Sequence, residues 1–365
     1  MNATRQLHDL GQRLWLDSIS RELLSSGRLS RYIREFAVSG LTSNPTIFDQ
    51  AIARSDAYDE AILELARDGK SGEDLFFELA LEDLTCAADL FAPIHEASGG
   101  VDGWVSLEVS PLLADDAAGT TRAALHLHAR ADRPNLYIKI PGTRAGIVAI
   151  EETIAAGVPV NVTLLFSREQ FIAAAKAYMR GIERRIAAGS DPDVGCVASL
   201  FISRWDSAMD AELPVPLRNR LGIAMARRTL VAWRELLSSP RWMRLAAAGA
   251  RPQRLLWAST GTKHPDASDT LYVEALAMAD TITTLPEKTL LAFADHGVLS
   301  DALRVDGEEE ELVLARFADA GVDIDALAIR LQCDGTQAFV DSWTALLARI
   351  ALKSVTLTEQ GRQCA

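Results

Sequence analysis

The chain has 365 residues, 48% of them hydrophobic, enough for one large core or two small domains. Its net charge of −13, with no Lys/Arg block anywhere along it, gives no field for holding a nucleic-acid backbone. No apolar run approaches the roughly 20 residues of a membrane helix, and the opening MNATRQLHDLGQRL is polar and amphipathic rather than signal-like, so a soluble cytoplasmic protein is expected.

Short apolar runs of strand length recur in chain order, each followed by a polar or small residue and then a helical stretch. The runs are RLWLD (13–17), AVSGLT (37–42), GWVSLEV (103–109), LYIKIP (136–141), VPVNVTLL (158–165), VGCVASLFI (194–202), RLLWAST (254–260) and DTITTLP (280–286). Helical periodicity covers ISRELLSSG, with Gly27 as its stop, then PTIFDQAI through LELARDG, and EDLFFELALEDLTCAADLFAPIHEA. It returns in TRAALHLHARA, AGIVAIEETIAAG, SREQFIAAAKAYMRGIERRIAAG and LRNRLGIAMARRTLVAWRELL. Eight strand–helix repeats predict an α/β fold, a single (β/α)8 barrel with strands inside and helices outside. An open doubly wound sheet is the competitor, but no glycine-rich dinucleotide loop follows any of the strands. Beyond the last strand, VDGEEEELV and two further helical segments ending at ALLARIALK form a helical appendage over residues 300–365 of one domain spanning 1–365. The acidic run Glu308 to Glu311 reads as a solvated helix start.

In a parallel barrel the chemistry sits at the carboxyl ends of the strands, and side chains alternate faces with period two. Asp17 closes the first strand and Asn44 follows the second; Ser106 and Glu108 share a face of the third, Asn161 and Thr163 a face of the fifth. Ser199 and Phe201 share a face of the sixth, and Ser259 closes the seventh. The chain has only six lysines, yet Lys139 stands between Ile138 and Ile140 in a strand. If the isoleucines pack on the helices, Lys139 points into the barrel. Taken singly, each polar residue is a cap or loop anchor, and Lys139 with Glu108 or Asp17 is a structural ion pair. Together they have a second meaning. Burial disfavours the ammonium and exposes the lone pair that attacks a carbonyl, so a barrel lysine among carboxylates and hydroxyls is equipped for Schiff-base chemistry without metal or cofactor.

Cys86, Cys196, Cys333 and Cys364 lie far apart with no CxxC pair and no nearby histidine, and read as reduced, mostly structural thiols. His126 and His128, two apart on a helix, do not share a face and receive no ligand role.

LTSNPTIF (41–48) and YIKIPGT (137–143) resemble the transaldolase family in its longer bacterial form, within the class I Schiff-base aldolases. The first fits the family's T-[ST]-N-P signature and the second its active-site lysine motif. WLDSISR, VSLEVSP, VNVTLLFS, SLFISRWD, LLWASTGTKHPDASDTLYV and TLPEKTLLAFADHG extend the likeness in order over residues 15 to 297. The resemblance implies a (β/α)8 barrel with a C-terminal helix across its mouth. It implies that Lys139 forms the Schiff base with a ketose phosphate, that Asp17 handles the C4 hydroxyl proton, and that Glu108 and Thr163 hold a proton-shuttling water. Asn44 and Asn161, with Ser106 and Ser199 beside them, would bind the hydroxyls of the three-carbon unit; Arg204 and Ser259 would bind phosphate, and Phe201 would wall the pocket. The implied reaction moves a dihydroxyacetone unit from sedoheptulose 7-phosphate or fructose 6-phosphate to glyceraldehyde 3-phosphate or erythrose 4-phosphate, in the pentose phosphate pathway.

Many transaldolases carry an arginine two residues after the seventh-strand serine, where this chain has Gly261. Lys263 either supplies that charge or is an exposed loop lysine. Trp205 is either core or a wall near the phosphate. An aldolase releasing free dihydroxyacetone, a transferase with a non-standard acceptor and a non-catalytic phosphosugar-binding barrel are the other readings. Sugar phosphates are the expected partners, and the oligomeric state, monomer or homodimer, stays open.

Overall fold

Eight parallel strands close on themselves in chain order: β1 (Arg13–Asp17), β2 (Val38–Thr42), β3 (Trp104–Glu108), β4 (Leu136–Pro141), β5 (Val160–Leu165), β6 (Cys196–Phe201), β7 (Arg254–Ala258) and β8 (Ile282–Leu285), with β8 pairing back to β1. The computed structural model describes residues 2–209, 214–299, 305 and 307–363, with side chains to 359. All eight predicted strands form; β1 and β4 match their runs and the other six are one to three residues shorter, with Ser259 falling just beyond β7.

Period-two alternation sorts the strands into an outer and an inner face. Leu14, Leu41, Val105, Ile138, Ile140 and Val162 join the core between strands and helices, while Trp15, Trp104, Tyr137, Val197, Leu256 and Ile282 point inward. The inward aromatics fill the amino-terminal half of the barrel: Trp104 stacks on Tyr137 with centroids 4.0 Å apart, and Trp15 Nε1 donates to Asp102 Oδ1 at 3.0 Å. Gly40 on β2 makes room for them, since a β-carbon there would overlap the Trp15 indole. A floor of this kind leaves only the carboxyl end of the barrel open to small molecules.

The helices follow the predicted order with informative differences. Arg21–Ser25 stops before Gly27 as expected, but Gly27, at φ +72°, also starts a separate helix, Arg28–Phe36. The stretch 45–69 is two helices, Pro45–Arg54 and Asp59–Arg67, joined by a single 3-10 turn. After β8 come Glu287–His296, Glu308–Asp319 and a 40-residue C-terminal helix, Ile324–Gln363.

That C-terminal helix is anchored on Pro45–Arg54, Asp59–Arg67 and Gly72–Ala97. Trp343 meets Phe76 edge-on at 4.8 Å and donates to Glu73 Oε1 at 2.9 Å, an aromatic contact of about 0.5–1.5 kcal/mol beyond its burial. Arg349 binds Asp49 at 2.6 Å and Lys353 binds Asp59 at 2.5 Å.

Two sequence expectations fail. The acidic run is not uniformly solvated: Glu310 is 3% exposed and faces Arg227 at 3.7 Å, while Glu311 pairs with Arg228 at 2.7 Å. The glutamates thus dock helix Glu308–Asp319 on the arginines of helix Leu221–Leu237. Among the described cysteines only Cys196 is buried; Cys86 and Cys333 are exposed, so packing does not account for them, and Cys364 lies outside the described residues. No helix among the described residues is long and apolar enough to cross a membrane.

Candidate active site

Strand register brings the predicted residues together. Glu108 pairs with Lys139 across β3 and β4, and Lys139 with Asn161 across β4 and β5. Equivalent heights on adjacent parallel strands, all on the inward face, place these side chains in one layer above the aromatic floor. Lys139 Nζ lies 2.9 Å from Glu108 Oε2 and 3.1 Å from the carbonyl of Ser43, and both charged side chains are 6% exposed. Two ions removed from water this completely need each other: deleting either partner leaves an unpaired buried charge.

Asp17 stands across the barrel at the end of β1. Its Oδ1 accepts from Thr42 Oγ1 at 2.7 Å, and Thr42 Oγ1 lies 2.7 Å from Thr284 Oγ1. Burial pushes the Asp17 carboxyl above the ordinary aspartate range, with the Lys139 charge, the Thr42 hydroxyl and the Lys263 charge pulling the other way. Burial likewise raises Glu108, opposed by the charge and hydrogen bond of Lys139 and assisted by the negative charge of Asp17. The site therefore holds two carboxyls that resist ionisation and one amine.

Beside them runs a polar chain. Asn161 donates to Ser106 Oγ at 3.0 Å and accepts from Ser199 Oγ at 2.7 Å, all three buried. Ser199 reaches the cavity, whereas Ser106 and Asn161 do not line it. Thr163 does line it, and its buried Oγ1 has no protein partner. Asn44 Oδ1 caps helix Pro45–Arg54 by accepting from Ile47 N at 3.1 Å, and the residue borders the cavity.

The cavity, about 140 Å3, is lined by Asp17, Asn44, Lys139, Thr163, Ser199 and Phe201. Its rim carries the cations. Arg204 is half-buried, its guanidinium 5.3 Å from the Phe201 ring and its pKa lowered by burial, opposed by Asp334. Lys263, exposed, borders the same space beside Ser259 and Gly261. The Ser259 hydroxyl lies 2.9 Å from Ser203 Oγ, at a backbone φ of +53°. Trp205 is fully buried, donates to the Phe166 carbonyl at 3.3 Å and does not line the cavity, so it is core.

Sequence reasoning singled out neither Thr42, Thr284 nor Phe339. The two threonines carry the same signal as Asp17, an inward position at or next to the end of a strand. Phe339 carries none. It lies on the C-terminal helix with its ring 5.5 Å from Lys139 Nζ, 200 residues away in sequence.

A buried amine against a carboxylate, a second carboxyl across the cavity and cations at its rim suit covalent chemistry on a phosphorylated carbonyl compound. The Transaldolase/Fructose-6-phosphate aldolase family model matches residues 14–350. The chain is 47% identical to a transaldolase of Thiobacillus denitrificans over 358 residues, covering 96% of this chain and 100% of that protein. It is 44% identical to transaldolases of Neisseria gonorrhoeae, over 93% of this chain and 97% of that one, and of Thermobifida fusca, over 95% and 97%. Fold, inward layer and full-length likeness agree, and the chain belongs to the transaldolase/fructose-6-phosphate aldolase family.

Proposed function

We infer that the protein is a transaldolase, moving a dihydroxyacetone unit from sedoheptulose 7-phosphate or fructose 6-phosphate to glyceraldehyde 3-phosphate or erythrose 4-phosphate in the pentose phosphate pathway. The observation that carries the mechanism is Lys139: a buried amine 2.9 Å from Glu108 and open to the cavity that Asp17 lines.

Lys139 Nζ attacks the ketose C2 carbonyl, and the carbinolamine loses water to form a protonated imine. Glu108 and the unpartnered Thr163 hydroxyl handle the proton traffic of that step through a water held between them. Asp17 takes the C4 hydroxyl proton as the C3–C4 bond breaks; the bonding electrons flow into the imine and leave a neutral enamine on Lys139. The enamine carbon then attacks the acceptor aldehyde, whose oxygen takes the proton back from Asp17, and hydrolysis frees the new ketose. Asn44 and the Ser106–Asn161–Ser199 chain orient the three-carbon unit, Phe201 walls it, and Arg204, Ser259 and Lys263 hold the phosphate. The helices beyond residue 300 belong to the same domain as the barrel and cover its mouth. A cytoplasmic site of action suits substrates that, as phosphate esters, are retained where they are made.

Incubation with fructose 6-phosphate, borohydride reduction and peptide mass spectrometry test this directly. A reduced three-carbon or six-carbon adduct is expected on Lys139; its absence sinks the Schiff-base mechanism.

A further inference from the structure

The C-terminal helix lies on the ends of the strands along one stripe, Gln332, Gly335 and Phe339, spaced i, i+3 and i+7, of which Phe339 lines the cavity. The Gln332 amide donates twice, to the carbonyl of Gly142 at 3.0 Å and to that of Leu164 at 2.9 Å. Those carbonyls follow Lys139 on β4 and Thr163 on β5, and Leu164 sits at φ +57°, where β5 breaks register with β6. Gly335 lets the helix approach closely, since a β-carbon there would stand 3.0 Å from Leu164 Cδ2 and 3.2 Å from Arg204 Nη1. One turn on, Phe339 is 5% exposed, lines the cavity and lies 5.5 Å from Lys139 Nζ. Beyond it, Ser342 Oγ meets Thr46 Oγ1 at 2.8 Å and fixes the helix on the far side of the ring.

We propose that Phe339 is a further catalytic residue, whose ring covers the Lys139 imine, favours its cationic form and keeps water from the enamine, so deciding between transfer and release of the three-carbon unit. The proposal rests on the Schiff-base mechanism above. After C3–C4 cleavage the enamine has two fates. Attack on an aldehyde forms a C–C bond, with the aldehyde oxygen taking the Asp17 proton. Alternatively the enamine carbon takes a proton delivered by water, and hydrolysis of the resulting imine consumes one water, giving free dihydroxyacetone and the Lys139 amine. A phenyl ring has no proton to deliver and no group to hold a water there, while its face attracts the ammonium and the protonated imine alike. Gln332 is a positioning residue: it ties the helix that carries the ring to the two strands that carry Lys139 and Thr163.

The full-length protein is given fructose 6-phosphate with and without erythrose 4-phosphate. Free dihydroxyacetone, sedoheptulose 7-phosphate and the borohydride-trapped fraction of Lys139 are then measured. Phe339→Ala is expected to raise the release-to-transfer ratio at least tenfold while still forming the adduct. Phe339→Leu, which keeps apolar cover without a ring, is expected to hold the ratio within about twofold of wild type and to lower the trapped fraction severalfold. Gln332→Ala is expected to raise the ratio with KM for the donor unchanged. A wild-type ratio in Phe339→Ala overturns the proposal and leaves the mechanism standing. Absence of any Lys139 adduct in the wild type overturns both. Should Phe339→Ala not fold, the leucine variant decides, and a wild-type trapped fraction there overturns the role of the ring.

Discussion

Asp17 shows what the chemistry costs the fold. Its carboxyl is raised by burial, so the folded state favours the protonated form and resists the ionised form that the proposed base requires. The sign follows from linkage: an acid whose folded pKa lies above its unfolded value leaves stability intact below the unfolded value and lowers it as pH rises through the folded one. Asp17→Asn should therefore stabilise the protein at pH 8 by roughly 1–3 °C in Tm, and the gain should shrink as pH falls through the raised carboxyl value. The same variant should trap the imine on Lys139 but lose about 10²- to 10⁴-fold in C–C cleavage. A Tm gain independent of pH, or unchanged turnover, would remove Asp17 from this role. Lys139, Glu108 and Asp17 were all legible in the sequence, because strict alternation in a buried strand leaves a charged residue only one direction to point. Thr42 and Thr284 were equally legible by the same rule. Phe339 was not, since nothing in local periodicity says which residue of a helix meets a strand 200 positions earlier.

Elements explain the rest of the lysine motif. After β4, Thr143 caps helix Arg144–Ala155, accepting from Gly146 N at 3.0 Å while donating to the Ala114 carbonyl at 2.6 Å. A β-carbon on Gly146 would overlap the carbonyl oxygen of Pro141, two residues from Lys139 and level with Thr163. The small residue thus lets the helix start directly behind the strand and holds the end of β4 in place. Gly146→Ala must push β4 or tilt the helix. We expect a Tm several degrees lower and a kcat down about tenfold or more with little change in KM, because misplacing the nucleophile harms the reacting geometry more than binding. Wild-type kcat in a folded variant would mean that β4 absorbs the shift without moving Lys139. The eight strands were legible because each is a short apolar run bounded by polar or small residues. Helix Arg28–Phe36 was less so, because Gly27 both ends one helix and begins the next. The burial of Glu310 was invisible too: its partner Arg227 lies on another helix, so a charged run read as solvent-facing.

At the scale of the whole molecule, the net charge of −13 opposes a substrate that carries a phosphate. In the proposed mechanism the rim overcomes that field locally with two cations of unequal standing that border the cavity. Arg204 is half-buried against Phe201 and presents a planar fork suited to phosphate; charge-assisted bonds of this kind contribute about 1.5–3 kcal/mol, or roughly 10- to 100-fold in binding. Lys263 is exposed, and an exposed ion pair contributes about 0.2–1 kcal/mol, or at most about fivefold. Arg204→Gln should therefore raise KM for phosphorylated donors far more than Lys263→Ala. The two should also differ in their response to salt. With a screening length of about 10 Å at 0.1 M ionic strength, the exposed lysine contributes mainly at low salt and the half-buried arginine at both. Salt screens the net negative charge as well as the rim, so the variants are compared with wild type: KM for fructose 6-phosphate should rise less with added salt in Lys263→Ala than in wild type, and Arg204→Gln should shift the whole curve upward. Unphosphorylated ketoses supply the control, since neither variant should change their KM in parallel. If Lys263→Ala affects phosphorylated and unphosphorylated donors equally, Lys263 is a loop lysine that borders the cavity without serving it, and Arg204 with Ser259 carries the phosphate alone.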